Sequence, residues 1–72
     1  MSRPLMYIKP GCPWCERQRE RFRADGVGWD ELDATGDRDA RAELIRLTGG
    51  TRIVPTVVFP DGSVQLGVDG HG

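Results

Sequence analysis

The feature that most constrains this chain is the pair Cys12 and Cys15, its only two cysteines, which are separated by two residues. They follow a short apolar run and precede a charged run of helix-forming residues. Residues three apart lie on one face of a helix, so the two sulfur atoms can come close enough to bond. Cys12 would lie at the helix start, where free backbone N–H groups and the helix dipole stabilise a thiolate. The sequence therefore predicts a reactive dithiol.

Length and charge exclude several classes of protein. With 72 residues, the chain is expected to form a single domain over residues 1–72 with a thin core. A net charge of −1 offers no basic surface for nucleic acid or for an anionic membrane. No apolar run approaches the roughly 20 residues that span a bilayer, and the N-terminus lacks the apolar block of a signal peptide. We therefore expect a cytoplasmic protein with no nucleic-acid and no membrane partner.

In the cytoplasm, which is reducing, a lasting structural disulfide is not expected. The cysteine pair is therefore expected to serve either catalysis or metal binding. Structural zinc requires four ligands. The only other soft ligand in the chain is His71, which lies in a C-terminal tail that we expect to be mobile. The sequence therefore predicts no metal site.

The hydrophobic pattern predicts an α/β fold with the element order β-α-β-α-β-β. We predict strands at residues 4–8, 27–32, 56–59 and 64–66, and helices at residues 13–24 and 38–47. The first helix has a thin apolar stripe and is expected to be largely exposed. The second is expected to bury four side chains, Ala40, Leu44, Ile45 and Leu47. This order fits a mixed four-stranded sheet with helices packed against it.

Pro55 directly precedes a strand that should be internal, where proline is excluded unless it occupies the first position. A C-x-x-C pair beside a βαβ pattern in a cytosolic chain indicates a thioredoxin-like redox motif. In a thioredoxin-like fold, a proline at this place is cis and faces the dithiol. The residue before it, here Val54, then offers backbone hydrogen bonds to an incoming thiol-containing chain.

The chain resembles the dithiol glutaredoxins, including their mycoredoxin-like branch, from residue 4 to about residue 66. The resemblance is carried by residues 7–15 (YIKPGCPWC), 47–56 (LTGGTRIVPT) and 59–63 (FPDGS). Thioredoxins proper have a buried acid where this chain has Met6. The resemblance implies a thiol–disulfide oxidoreductase that binds no cofactor and uses glutathione or another low-molecular-weight thiol as co-substrate. Disulfide-bearing or glutathionylated proteins would be its partners.

The resemblance also implies a role for each matching residue. Cys12 would be the nucleophile and Cys15 the resolving thiol. The expected substrate-binding residues are Lys9, Trp14, Arg52, Val54, Pro55 and Asp69. Lys9 and Arg52 match basic positions that interact with the carboxylates of glutathione, although solvated surface charges are the alternative for both. Asp69 matches an acidic position that binds the γ-glutamyl amine, although a plain turn residue is the alternative.

Two departures from the family pattern qualify this expectation. Gln65-Leu66 stands where a Gly-Gly pair is usual, which leaves a different low-molecular-weight thiol open. The usual C-terminal helix has no counterpart in the sequence, so one face of the sheet would be uncovered. We expect that face to favour a homo-oligomer or to leave the domain marginally stable.

Two rival functions are also considered. The first is an iron–sulfur carrier, in which two protomers share a cluster through Cys12 and two small thiols. Pro13 argues against it, because cluster-binding relatives usually have a small residue there. The second is a redox module that serves one dedicated enzyme and is reduced by thioredoxin reductase.

Overall fold

The computed structural model describes residues 2–72 and confirms the predicted element order. Its elements are β1 (Leu5–Ile8), α1 (Pro13–Ala24), β2 (Asp30–Asp33), α2 (Arg38–Thr48), β3 (Thr56–Val58) and β4 (Val64–Leu66). The strands form one mixed sheet in the order β2-β1-β3-β4. β1 pairs with β2 in parallel, whereas the β1–β3 and β3–β4 pairs are antiparallel. None of the helices in this part of the chain is long and apolar enough to cross a membrane.

β2 begins three residues later than predicted. Val27 was expected to start the strand, but its N–H group bonds to the carbonyl oxygen of Phe22 at 2.9 Å. The N–H group of Gly26 bonds to the carbonyl oxygen of Arg23, and Gly26 has a φ of 70°. These two bonds form the Schellman motif that ends α1. Val27 therefore completes the helix cap, and the strand begins only at Asp30.

Helix α2 buries a slightly different set of side chains from the one predicted. In α2, Ala40, Leu44 and Thr48 are buried, whereas Ile45 and Leu47 are only partly buried. The spacing of four residues between successive members explains the set, because such residues lie on one face of a helix. The hydroxyl of Thr48 donates a hydrogen bond to the carbonyl oxygen of Leu44, one turn earlier in the same helix, at 2.8 Å. The last buried residue on this face of α2 is therefore polar, and its hydroxyl is hydrogen-bonded.

The two faces of the sheet are covered to different extents. Met6 and Val57 are fully buried on the face against which α1 packs, where the α1 residue Gln18 accepts a hydrogen bond from Gln65 of β4 at 2.8 Å. On the opposite face, Val64 and Leu66 of the edge strand are 40% and 44% exposed. Both residues belong to β4, which is an edge strand of the sheet. Self-association stays a prediction.

Candidate active site

The sheet register brings the two predicted site segments together. Tyr7, near the end of β1, pairs with Thr56, the first residue of β3. Because β1 and β3 are antiparallel, the loop that leaves β1 lies beside the segment that enters β3. The first of these carries Cys12 and the second carries Val54 and Pro55. Two motifs separated by some forty positions in the chain thus meet at one edge of the sheet.

Cys12 is the N-cap residue of α1. Its backbone is extended, with φ −84° and ψ 113°, and its Sγ atom accepts a hydrogen bond from the N–H group of Cys15 at 3.3 Å. Pro13 occupies the first turn, where its missing N–H group costs no helical hydrogen bond. The sulfur of Cys12 therefore lies among the free N–H groups of a helix start, which favour negative charge. This is the position predicted from the sequence.

Cys15 is chemically different from Cys12 although both are free thiols. Its side chain is fully buried, whereas Cys12 is 7% exposed. Burial, followed by the side-chain hydrogen bond with Cys12, raises the pKa of Cys15 to about 12, while a backbone hydrogen bond with Lys9 and the charge of Arg19 act against that shift. Cys15 is therefore a protonated thiol at neutral pH. The two sulfur atoms are adjacent but unequal.

The Val54–Pro55 peptide bond is cis, as predicted. The carbonyl oxygen of Val54 lies 3.9 Å from the Sγ atom of Cys12. Within residues 2–72, neither the N–H group nor the carbonyl group of Val54 has a backbone partner. A backbone segment whose N–H and carbonyl groups have no backbone partner can pair with another extended chain.

A groove of about 310 Å³ lies next to Val54 and carries three positive charges. Its lining consists of Lys9, Ala34, Thr35, Arg41, Leu44, Arg52 and Val54. Lys9 and Arg52 were predicted; Arg41 was not, although it precedes the buried Leu44 by three positions and so lies on the neighbouring helix face. None of these three cations forms a salt bridge within the described part of the chain. No carboxylate lines the groove, which therefore suits an anion.

A second recess, of about 440 Å³, leads to Cys12 from the other side. It is lined by Lys9, Pro10, Gly11, Cys12, Pro13, Glu16 and Arg19. Lys9 thus borders both concavities, and Cys12 lines the second.

A family model for glutaredoxin matches residues 5–64. This chain belongs to the glutaredoxin family. It is 36% identical over 58 residues to a glutaredoxin-type protein of Mycobacterium tuberculosis, covering 81% of this chain and 69% of the relative. It is 33% identical over 63 residues to mycoredoxin 1 of Corynebacterium glutamicum, covering 88% and 77%. Family membership makes the protein a thiol–disulfide oxidoreductase.

Solved structures support the thioredoxin-like fold of this glutaredoxin. A thioredoxin-like protein with 32% identity superimposes with a TM-score of 0.79, over 90% of this chain and 86% of that one. Buckwheat glutaredoxin in complex with glutathione, with 27% identity, gives a TM-score of 0.71 over 89% of this chain and 59% of that one. The predicted fold class is confirmed.

Trp14 is half-buried and stacks against His71 from the C-terminal segment. The ring centroids are 4.4 Å apart and the ring planes differ by 9°. His71 also pairs with Val68 through two backbone hydrogen bonds, of 2.6 and 2.8 Å. The segment expected to be a mobile tail is therefore packed beside the active-site helix. The sequence carried no signal for this contact, because a single aromatic residue near a chain end does not reveal its partner.

Asp69, predicted to bind substrate, forms a salt bridge with Arg21 in the last turn of α1 at 2.8 Å and lines neither of the two concavities. Its φ is 51°, so its backbone is left-handed. Gly67 precedes it with a φ of 72°, and a Cβ there would lie 2.2 Å from the carbonyl oxygen of His71. Gln65, which replaces a family glycine, donates to the carbonyl oxygen of Gly67 at 2.9 Å. Gln65 and Asp69 thus belong to one segment that contacts α1, through Gln18 and Arg21 respectively.

Proposed function

We propose that this glutaredoxin reduces protein disulfides and mixed disulfides of a small carboxylate-bearing thiol of the glutathione type, which also serves as its reductant. The observation that carries this proposal is the position of the Cys12 Sγ atom, 3.9 Å from the carbonyl oxygen of Val54. Val54 also lines the groove, whose three cations form no salt bridge among residues 2–72. Val54 thus adjoins both the sulfur of Cys12 and the groove.

The first step is attack by the Cys12 thiolate on a mixed disulfide R–S–S–G. A bond forms between Cys12 and the sulfur of the small thiol, and the R–S⁻ thiolate leaves and takes up a proton. A second molecule of the small thiol, as its thiolate, then attacks the small-thiol sulfur that is bonded to Cys12. The small-thiol disulfide leaves, and Cys12 returns to its thiolate form.

The second route uses Cys15. Its thiolate attacks the Cys12 sulfur of a mixed disulfide, the substrate thiolate leaves, and a Cys12–Cys15 disulfide forms. The negative charge of Cys12 is one cause of the raised pKa of Cys15. Once Cys12 is in a disulfide, that charge is gone, so Cys15 gives up its proton more easily and can protonate the leaving thiolate. The order of attack follows: Cys12 first, Cys15 second.

Substrate binding would use the backbone and the groove together. The N–H and carbonyl groups of Val54, which have no backbone partner among residues 2–72, would pair with the backbone of the substrate cysteine, as an added strand does. Lys9, Arg41 and Arg52 would bind a carboxylate, and Arg is suited to bidentate contact with that group. Trp14 would cover the site.

Asp69 would bind the amine of the small thiol. It already accepts from Arg21, so an incoming ammonium group would share or displace that guanidinium. The solved structure of the related buckwheat glutaredoxin is a complex with glutathione, which supports a ligand of this class.

The decisive experiment is a coupled assay on a glutathionylated protein, with NADPH oxidation as the readout. Glutathione with glutathione reductase is expected to sustain turnover, and thioredoxin reductase without glutathione is not. Equal or faster turnover with thioredoxin reductase alone would contradict the proposal and support the dedicated module. A brown protein after anaerobic purification would support the iron–sulfur carrier instead.

A further inference from the structure

The cation Arg52 is held in an unusual backbone conformation. Its φ is 56°, in the left-handed region that residues other than glycine seldom adopt. Gly49 and Gly50, which precede it in the same loop, also have positive φ values of 67° and 96°. Glycine accommodates that conformation without a Cβ penalty, whereas Arg52 needs a compensating interaction.

The compensating interaction comes from Thr48. Its hydroxyl oxygen accepts a hydrogen bond from the N–H group of Arg52 at 3.0 Å while donating to the carbonyl oxygen of Leu44 at 2.8 Å. The side chain is 6% exposed, so water does not replace these bonds easily. The hydroxyl thus acts as a donor toward the helix and as an acceptor toward the loop.

The geometry points to Thr48 as a positioning residue: we propose that its hydroxyl fixes Arg52 in the conformation that directs the guanidinium into the groove beside Lys9 and Arg41. Thr48 itself is not among the groove residues and touches no substrate. Because Arg52 would meet the carboxylate end of a substrate, Thr48 would set the preference for charged over neutral disulfides. This inference rests on the proposed function.

The same loop offers a matched control. The Thr51 hydroxyl donates to the carbonyl oxygen of Thr48 at 3.1 Å and does not bond to Arg52. Thr51→Val thus removes a hydroxyl of the same type from the same loop without touching the contact in question. Thr48→Ser keeps the hydroxyl and is the rescue variant. Thr48→Ala removes the hydroxyl without placing a methyl group beside the N–H group of Arg52, which guards against misfolding of Thr48→Val.

The test compares the rate constants with which the reduced protein reacts with glutathione disulfide and with neutral 2-hydroxyethyl disulfide. Thr48→Val and Thr48→Ala should slow the reaction with glutathione disulfide by about three- to tenfold, as expected when one charge-assisted contact is weakened. The neutral disulfide should react as with the wild type. Thr48→Ser and Thr51→Val should retain wild-type rates with both.

A double-mutant cycle with Arg52→Gln separates positioning from general destabilisation. If Thr48 acts through Arg52, then Thr48→Val should have no further effect in the Arg52→Gln background. Equal slowing with both disulfides, full additivity with Arg52→Gln, or unchanged rates in Thr48→Val would overturn the inference. A wild-type protein that reacts with neither disulfide would instead contradict the proposed function.

Discussion

The backbone N–H group of Cys15 donates to the Sγ atom of Cys12 at 3.3 Å, so the second cysteine of the motif stabilises the first before any disulfide forms. Burial, followed by a side-chain hydrogen bond with Cys12, raises the pKa of the Cys15 thiol to about 12 and so keeps it protonated at neutral pH. One local geometry thus assigns two roles. It favours negative charge on the sulfur of Cys12 and withholds it from the fully buried sulfur of Cys15.

Replacing each cysteine separately should reveal these roles. Cys12→Ser is expected to abolish all thiol–disulfide exchange, because the nucleophile is lost. Cys15→Ser should retain part of the activity on glutathionylated protein but lose the reduction of protein disulfides, which needs a resolving thiol. Both variants are measured on both substrates. Equal loss in the two variants on the two substrates would contradict separate roles.

Alkylation at neutral pH should modify one cysteine only. Cys15 is fully buried and protonated, whereas Cys12 is partly accessible at the start of α1. Brief treatment of the reduced protein with iodoacetamide at pH 7, followed by mass spectrometry of peptides, should locate a single adduct on Cys12. The urea-unfolded protein is the control and should carry two adducts. An adduct on Cys15 in the folded protein would show that the buried thiol is the more reactive one.

The stability of the reduced protein should fall at alkaline pH. The pKa of Cys15 is raised from 9.0 to about 12, so the folded state holds this proton more tightly than the unfolded state. The resulting stabilisation is complete below pH 9 and is lost as the pH rises towards 12, at up to about 1.4 kcal/mol per pH unit. Urea unfolding at pH 8 and pH 10 measures this slope.

Cys15→Ala is the control for this pH dependence, because it removes the titrating thiol. Its free energy of unfolding should change less between pH 8 and pH 10 than that of the reduced wild type. If the two proteins lose stability in parallel, another group is responsible for the alkaline slope.

Arg41→Gln should weaken the binding of a carboxylate-bearing disulfide. The side chain lines the groove with Lys9 and Arg52 and has no salt-bridge partner among residues 2–72. We expect KM for glutathione disulfide to rise about tenfold, the loss of roughly one charge-assisted hydrogen bond. Arg38→Gln, on the same helix but outside the groove, is the control and should keep the wild-type KM. An equal rise in both variants would indicate only a general effect of charge.

The stacked pair of Trp14 and His71 should contribute to stability. His71→Ala is expected to lower the free energy of unfolding by about 1 kcal/mol, the usual size of an aromatic pair contribution. In a double-mutant cycle, the effect should largely disappear when Trp14 is already replaced by alanine. Additive effects of the two substitutions would mean that the rings do not interact in solution.

Much of the fold followed from local patterns. The apolar run of β1, the helix-capping residues Asp37 and Gly49, and the proline before β3 each specify a local conformation, because capping and backbone restriction act over a few residues. The start of β2 was placed too early, since Val27 fits a strand by composition but is used in the cap of α1. The position of Val27 depended on the geometry of the end of α1, which composition does not encode.

The sequence by itself determined the dithiol, its place at a helix start and the order of the elements, because each depends on residues close together in the chain. Only the tertiary structure decided that Arg41 joins the groove, that His71 stacks on Trp14 and that Asp69 pairs with Arg21. These contacts join residues from separate elements, and side-chain pairing at that distance is set by how the sheet and helices pack. Local patterns thus specified the position of the Cys12 sulfur at the helix start, and packing specified the residues that surround it.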